Sequence, residues 1–123
     1  MRAFPTPSEL EFLVGKEIGQ ICLDPNSVQL LFWNGGRIHI DHDFEHIADD
    51  GRSYRYDCAA HSGPPLLLHH LIAKNIVSLD VARLSLSLNL NDGQKLILYS
   101  EEGPYECGQI WSGDEPADGY IIY

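Results

Sequence analysis

The sequence predicts a mainly β protein of the α+β class, in which duplicated units each combine a short helix with an antiparallel β-meander, forming one or two sheets. Two observations lead to this prediction: an internal repeat and a regular alternation of apolar and polar residues. Segments 13–40 and 71–98 align without a gap at a constant offset, with Gly35 matching Gly93. Two copies indicate a duplication, since stacked repeat arrays generally need about three units to bury a continuous face.

The length and the repeat together set the domain organisation. At 123 residues with 44% hydrophobic content, the chain fits a single domain, 1–123, that can bury a core without disulfides or metals. The first copy spans about residues 8–57 and the second about 62–123.

Each copy is predicted to begin with a short helix. In "PSELEFL", Ser8 stands three residues before Glu11, which is the spacing of a capping box. In "SGPPLLLHHLI", Ser62 is the candidate cap and prolines follow it, where the first turn of a helix tolerates them.

A hairpin is predicted to follow in each copy. In the second copy, leucines at 84, 86, 88 and 90 alternate with serine and asparagine, the pattern of a strand with one buried face. Asn91–Gly93 then suits a three-residue loop ending in a left-handed glycine, and Trp33–Gly35 suits the same loop in the first copy. The two loops predict four apolar cross-strand pairs: Leu88 with Leu96, Leu86 with Leu98, Leu30 with Ile38, and Val28 with Ile40.

The rest of the chain contains three weaker strand patterns. "SYRYD" (53–57) is the candidate fourth strand of the first copy, and residues 43–60 otherwise have no predicted placement. "YECGQIW" (105–111) and "GYIIY" (119–123) indicate two further strands, joined by the turn-rich "SGDEPAD".

The charge of the chain restricts its partners. Eight Lys+Arg against eighteen Asp+Glu give a net charge of −10, which repels nucleic acids and anionic membranes and attracts basic proteins. No apolar run approaches the roughly 20 residues of a membrane span, and the start of the chain lacks the apolar core of a signal peptide. These features predict a cytoplasmic protein whose three widely spaced cysteines are reduced thiols.

Histidine-rich "RIHIDHDFEH" (37–46) raises the question of a metal site. On a strand, His39 faces away from Ile40 whereas His42 lies on the Ile40 side, so the histidines cannot converge as three ligands. We therefore expect a solvated acidic edge with scattered histidines and no metal or other cofactor.

Two further pairs resemble chemical sites only superficially. In the second predicted helix, His69 and His70 point about 100° apart, so one is expected to pack and one to meet solvent. Cys58 and His61 lack the sequence context of a known thiol nucleophile. With no recognised catalytic motif elsewhere, an enzyme is the less favoured interpretation, through either a metal-dependent or a thiol mechanism.

The remaining candidates form a protein-binding surface of acids interspersed with aromatic residues, a composition that suits docking onto a basic protein. The alternative is ordinary solubility combined with aromatic core residues. The candidate partner-binding residues are Asp41, Asp43, Glu45, Tyr99, Glu101, Glu102, Tyr105, Glu106 and Trp111.

The segments "LVGKEIGQICL", "LLFWNGGRIHI", "LSLNLNDGQKLIL" and "YECGQIW" resemble an uncharacterised family of short bacterial proteins, over about residues 13–123. Some members of this general kind look like immunity proteins encoded beside secreted toxins. The resemblance implies a cytoplasmic inhibitor of one cognate toxin domain, often a nuclease with a basic active-site cleft. A small domain with a housekeeping or small-ligand-binding role is the alternative. The gene next to this one would discriminate between them, and the sequence assigns no oligomeric state.

Overall fold

The computed structural model describes residues 3–123. Met1 and Arg2, at the start of the segment in which the sequence predicts no signal peptide, lie outside the described residues. The β-strands, in chain order, are β1 (Ile18–Asp24), β2 (Ser27–Phe32), β3 (Arg37–Ile40), β4 (Asp43–Ile47), β5 (Ser53–Asp57), β6 (Ile76–Val81), β7 (Ser85–Leu90), β8 (Lys95–Tyr99), β9 (Gly108–Trp111) and β10 (Tyr120–Ile122). The helical segments are α1 (Pro7–Leu10) and three 3₁₀ helices, Glu11–Leu13, Leu68–Leu71 and Pro116–Asp118.

The strands form two antiparallel sheets, which confirms the expected mainly β fold. Sheet 1 has the strand order β1-β2-β3-β9-β10, and sheet 2 has the order β5-β4-β8-β7-β6. Each sheet therefore contains one three-stranded meander extended by a hairpin from the other half of the chain. The buried apolar side chains of both sheets belong to one hydrophobic cluster, so the sheets share a core.

Both predicted hairpins have the predicted register. Leu86 pairs with Leu98 and Leu88 with Leu96, while the first copy pairs its residues in the same way. Gly35 and Gly93 have φ values of 97° and 93°. These left-handed conformations suit glycine because it has no Cβ to clash with the backbone.

Elements at equivalent positions of the two copies follow the same path. The 3₁₀ helices Glu11–Leu13 and Leu68–Leu71 precede β1 and β6, and both strands have a bulge after their first residue. The two copies also contact one another reciprocally: Ile18 N–H donates to Lys74 O at 2.9 Å, and Ile76 N–H donates to Lys16 O at 2.9 Å. The common origin of the copies by duplication stays a prediction.

The predicted helix starts are wrong in detail. Thr6, not Ser8, is the cap of the first helix. The Thr6 N–H donates to the Glu9 carboxylate at 3.1 Å. At the second, Ser62 pairs with Asp57 in an isolated bridge, and the chain is helical only for the single 3₁₀ turn Leu68–Leu71. Consecutive prolines at 64 and 65 explain the difference, because each disfavours helical backbone in the residue before it.

Two strand predictions also need correction. "SYRYD" is strand β5, but it pairs with β4 in sheet 2 and does not extend the first copy's own sheet. In "YECGQIW", only Gly108–Trp111 is strand, because the preceding residues carry the chain from sheet 2 to sheet 1.

Gly108 is the point where the core is most closely packed against the backbone. A Cβ at this position would overlap His39 O and the phenol of Tyr123. The Tyr123 side chain is fully buried and stacks on Phe4, with 4.6 Å between ring centroids. The Tyr123 ring thus fills the core beneath sheet 1, and only a glycine at position 108 leaves room for this ring.

Candidate functional site

The chain crosses between the two sheets at one edge of the molecule, and this edge carries most of the predicted contact acids. One crossing joins β3 to β4 through Asp41; the other joins β8 to β9 through residues 100–107. The two crossings touch, since Asp41 N–H donates to Cys107 O at 2.9 Å. We name this surface the acidic crossover, and it consists of Asp41, Asp43, Glu101, Glu102, Tyr105 and Glu106.

Positive charge compensates the acidic crossover only in part. The ion pairs are Arg55–Asp43 at 3.0 Å and Arg83–Glu102, and imidazole nitrogens of His39 and His42 lie 2.9 Å from Asp41 and 3.5 Å from Glu101. Hydrogen bonding by Arg83 and then its charge lower the pKa of Glu102, which stays ionised at neutral pH. Five carboxylates thus face two guanidinium groups and two imidazoles, so acidic groups outnumber basic ones and the surface is negative.

Tyr105 is the most exposed aromatic side chain among the predicted contact residues, at 83% of its full accessible area. It lies in the second crossing, between Glu102 and Glu106, and the Glu106 carboxylate accepts a hydrogen bond from Gln109 at 3.1 Å. An exposed tyrosine among carboxylates can bury its ring against a partner while the carboxylates meet cations around it.

Glu45 and Tyr99 lie next to the acidic crossover, on the outer face of sheet 2. Tyr99 Oη donates to Glu45 Oε1 at 2.7 Å, Ser53 also donates to Glu45, and the Arg55 guanidinium lies 4.1 Å from the centre of the Tyr99 ring. The hydrogen bond from Ser53 and then that from Tyr99 lower the pKa of Glu45. Burial, and then the hydrogen bond to Glu45, raise the pKa of Tyr99. The contacts fix both side chains and cover one face of the Tyr99 ring.

Trp111 is separated from the other eight residues. It points outward from β9, on the outer face of sheet 1, where it stacks on Tyr120 with 4.8 Å between ring centroids. The Arg37 guanidinium lies 4.5 Å from the centre of the Trp111 ring, and the indole N–H donates to Gln109 at 2.9 Å. The structure therefore brings eight predicted residues to one edge and its adjoining face, and places Trp111 on the opposite outer face.

The histidines of segment 37–46 occupy different environments. His39 and His42 contact Asp41 and Glu101 of the acidic crossover, whereas His46 is fully buried and its Nε2 lies 2.7 Å from Gln94 Oε1. The expectation of a solvated edge with scattered histidines is therefore wrong at His46, because this residue points into the core beside Phe44. Among residues 3–123, no three His, Cys, Asp or Glu side chains are grouped closely enough to hold a metal ion.

The remaining candidate pairs are His69–His70 and Cys58–His61. His69 and His70 are both exposed, so the expectation that one packs is wrong; the one-turn 3₁₀ helix presents both rings to solvent. The imidazole of His61 is bonded to the Tyr56 hydroxyl at 3.0 Å. Burial, and then the charges of Asp41 and Asp57, raise the pKa of the Cys58 thiol to about 12, so it stays protonated and is a poor nucleophile.

An apolar groove that the sequence did not predict opens beside the acidic crossover. It has a volume of about 480 Å³ and lies between the β1–β2 turn, β5 and segment 61–69. We name it the apolar groove, and its walls are Leu23, Val28, Tyr56, Pro64, Pro65, Leu66 and Leu68, with Asp24, His61 and His69 at the rim. The run "PPLLL" supplies one wall only, and because the other walls come from distant segments no continuous sequence pattern indicates the groove.

Comparison of the chain with protein-family models, with curated proteins and with solved structures finds no match. Within residues 3–123, none of the helices has the length and hydropathy needed to cross a membrane. The fold thus defines a class, a two-sheet antiparallel β protein, and the acidic crossover and the apolar groove are its candidate binding features.

Proposed function

We propose that this chain is an immunity-type inhibitor that binds and neutralises a cognate toxin domain through the acidic crossover. Tyr105 is the observation that supports the proposal best: a large aromatic side chain, 83% exposed, among carboxylates that exceed their cationic partners. Large exposed aromatic residues are the side chains most often found at the energetic centre of protein interfaces. We propose binding and not catalysis as the role, with the complex forming in the bacterial cytoplasm.

The charge of the acidic crossover supports a basic partner surface, such as the cleft of a nuclease. Carboxylates on an exposed edge raise the rate at which a positively charged protein collides productively with that edge. Exposed ion pairs of the Arg83–Glu102 kind are screened by water and contribute little to stability, so a partner's cations can replace them at little cost.

The contacts that fix Tyr99, beside the acidic crossover, support the same surface as the binding site. Arg55 and Glu45 already fix Tyr99, so this side chain loses little further freedom when a partner covers it. Trp111 lies on the other outer face, and we propose that it does not contact the toxin in the same complex. The contact set is then the acidic crossover together with Glu45 and Tyr99.

A small-ligand-binding role is the second candidate, and the apolar groove is the observation in its favour. Its volume of about 480 Å³ falls within the range of roughly 300–1,000 Å³ typical of ligand sites. On that alternative, changes at the acidic crossover would leave function intact.

Co-expression with the product of the neighbouring gene tests the proposal. Cells that make the toxin should survive only when this protein is present, and the purified pair should co-elute. The informative variant is E101Q/E106Q, which removes two carboxylates and leaves the Arg83–Glu102 pair in place. The matched control is E11Q/D49N, which removes two exposed carboxylates outside the acidic crossover.

We expect E101Q/E106Q to slow association by about tenfold at low salt, and E11Q/D49N to change it by less than about twofold. Tyr105→Ala should mainly speed dissociation, because it removes an anchor and no charge. The proposal fails if the neighbouring gene encodes no toxin-like domain, if the protein gives no protection, or if the control variant weakens binding as much as E101Q/E106Q does.

A further inference from the structure

We infer that the apolar groove receives one apolar side chain from an extended, lysine- or arginine-rich segment of the protein partner. The inference rests on the proposed function in one respect, that the natural ligand is a protein. The groove would be a second contact point beside the acidic crossover, and it would select an apolar side chain flanked by lysine or arginine.

The walls of the groove explain why an apolar side chain fits. Leu23 is 68% exposed at the end of β1, although its strand partner Val28 is buried. Segment 64–66 faces them from the other side with two prolines and Leu66. An apolar side chain placed between these walls would remove apolar surface on both sides from water, at about 25 cal/mol for each Å².

The groove is formed before any ligand arrives. The loop that begins at Asp57 is closed by reciprocal backbone hydrogen bonds with Ser62, at 2.9 and 3.1 Å. The Asn26 side-chain amide fixes the same loop to the β1–β2 turn by donating to Ala59 O at 3.1 Å. His61 has a left-handed φ of 50°, a conformation that a non-glycine residue keeps only where surrounding contacts impose it. A ligand therefore does not have to order this wall.

The charges around the groove select a basic segment. Asp24 lies at the rim, and the carboxylates of Asp41, Asp43 and Asp57 lie close enough to the adjoining Cys58 to act on its pKa. No lysine or arginine from the described residues lines the groove. Within that part of the chain, the basic side chains that line the groove are the two rim histidines, His61 and His69.

The groove is also continuous with the acidic crossover. Val28, in its wall, pairs with Ile40, and Tyr56 pairs with Phe44. Ile40 and Phe44 flank the first crossing, so the groove and the crossing carboxylates lie side by side. A segment whose apolar side chain enters the groove can place its neighbouring cations against the acidic crossover.

Three synthetic peptides provide the direct test: GKKFKKG, its serine version GKKSKKG and its acidic version GEEFEEG. Binding is followed by nuclear magnetic resonance shifts of the purified full chain at low and high salt. We expect GKKFKKG to bind about tenfold or more tightly than either of the others, with the largest shifts at Leu23, Tyr56 and Leu66 and weaker binding in salt.

Two variants test whether the peptide binds in the groove. Leu23→Gln removes exposed apolar surface from one wall, and Asp24→Asn removes the rim charge; both should weaken binding of GKKFKKG by about threefold or more. The matched controls are Val77→Gln, an exposed apolar residue at the bulge of β6, and Glu11→Gln, an exposed carboxylate near α1. Both controls should leave binding unchanged.

Other occupants would give different results, and each would overturn the inference. Equal binding of GKKFKKG and GEEFEEG would mean an unselective apolar site suited to a small molecule. A dimer in sedimentation that Leu23→Gln converts to a monomer would mean that a second copy fills the groove. If groove variants leave toxin binding intact while E101Q/E106Q weakens it, the groove inference fails and the proposed function stands.

Discussion

The two hairpin loops have the same backbone hydrogen bond but are stabilised by different contacts. In both, the loop occupies three residues, and the N–H of the glycine at its end, Gly35 or Gly93, donates to the residue before the loop, at 3.3 and 3.2 Å. The next residue differs: it is Gly36 in the first copy and Gln94 in the second.

The first loop depends on a distant part of the chain. Gly36 N–H donates to the Asp114 carboxylate at 3.1 Å, and a Cβ on Gly36 would lie 2.5 Å from the carbonyl oxygen of Trp111. Lys16 closes the same loop by donating to Gly35 O at 2.8 Å. Glycine is required here because another strand passes through the space a side chain would fill.

The second loop depends on a buried side chain. Gln94 donates to Asp92 at 2.7 Å and to His70 O at 2.9 Å, and its Oε1 accepts from His46 Nε2 at 2.7 Å. Lys74, the counterpart of Lys16, is 3.5 Å from the Asp92 carboxylate. A shared backbone path therefore does not require the same stabilising contacts. Single substitutions can measure separately how much the contacts of each loop stabilise the fold.

The largest expected effect is at Gly36. Gly36→Ala should lower the free energy of unfolding by about 3 kcal/mol or more, because it adds a backbone overlap to a left-handed φ of 87°. Urea unfolding followed by circular dichroism measures it. Gly51→Ala is the control, since Gly51 has a similar φ of 88° and open space around it. Equal losses for the two variants would rule out close packing at Gly36.

The next effect is at Gln94. Gln94→Met keeps a similar volume but leaves the His46 ring, fully buried, without its hydrogen-bond partner, which should cost about 2 kcal/mol. The same urea experiment applies. Gln29→Met, on the half-buried outer face of β2, should change stability by less than about 0.5 kcal/mol. A loss of that small size for Gln94→Met would mean that the buried network does not stabilise the second loop.

A smaller effect is expected at Gly93. Gly93→Ala should cost about 1 kcal/mol, since the φ of 93° is unfavourable for alanine while no described residue beyond the two chain neighbours has an atom within 4 Å of the new Cβ. Thermal unfolding measures it. An unchanged melting temperature would contradict the left-handed loop position, and a loss as large as that of Gly36→Ala would remove the distinction between the loops.

The smallest effects are at the paired lysines. Lys16→Met should cost about 1 kcal/mol and Lys74→Met about half of that, because the second pair is a longer contact between partly exposed groups. Although burial raises it, hydrogen bonds from Gln94 and the charge of Lys74 hold the pKa of Asp92 below its ordinary value.

That pKa shift gives the Lys74 contribution a pH dependence. A depressed carboxylate pKa stabilises the fold above the unfolded value of about 3.9, and this stability is lost as the pH falls through the folded value. The difference between Lys74→Met and the parent should therefore be present at pH 7 and disappear once acid has protonated Asp92 in the folded state. A difference that persists in acid would show that the lysine acts through packing.

The sequence predicted the local part of the fold because that part depends on neighbouring residues. Alternation over 84–90 and the two glycine loops were sufficient for both registers. The same even–odd alternation continues through the first crossing, so Phe44 and His46 point inward as Ile38 and Ile40 do. The expectation of a solvated edge over 37–46 follows from the polar composition of this segment, whereas the alternation decides the direction in which His46 points.

Non-local features were not predictable in the same way. Nothing between residues 43 and 57 indicates which sheet β4 and β5 join, since that depends on pairing with β8, in the other half of the chain. For the candidate site, the acids proved to be neighbours, whereas Trp111 faced elsewhere because β9 joins sheet 1. The apolar groove is built from three separate segments and had no continuous sequence pattern.

The exchange of hairpins between the two halves affects the order in which the chain can fold during synthesis. Strand β3 pairs with β9, which follows the second copy's meander in the chain. Until residues 108–122 have left the ribosome, Ile38 and Ile40 have no β9 beside them and sheet 1 ends in an open edge. Sheet 1 can therefore be completed only after residues 108–122 have emerged, and until then its open β3 edge is exposed to chaperones and to association with other nascent chains.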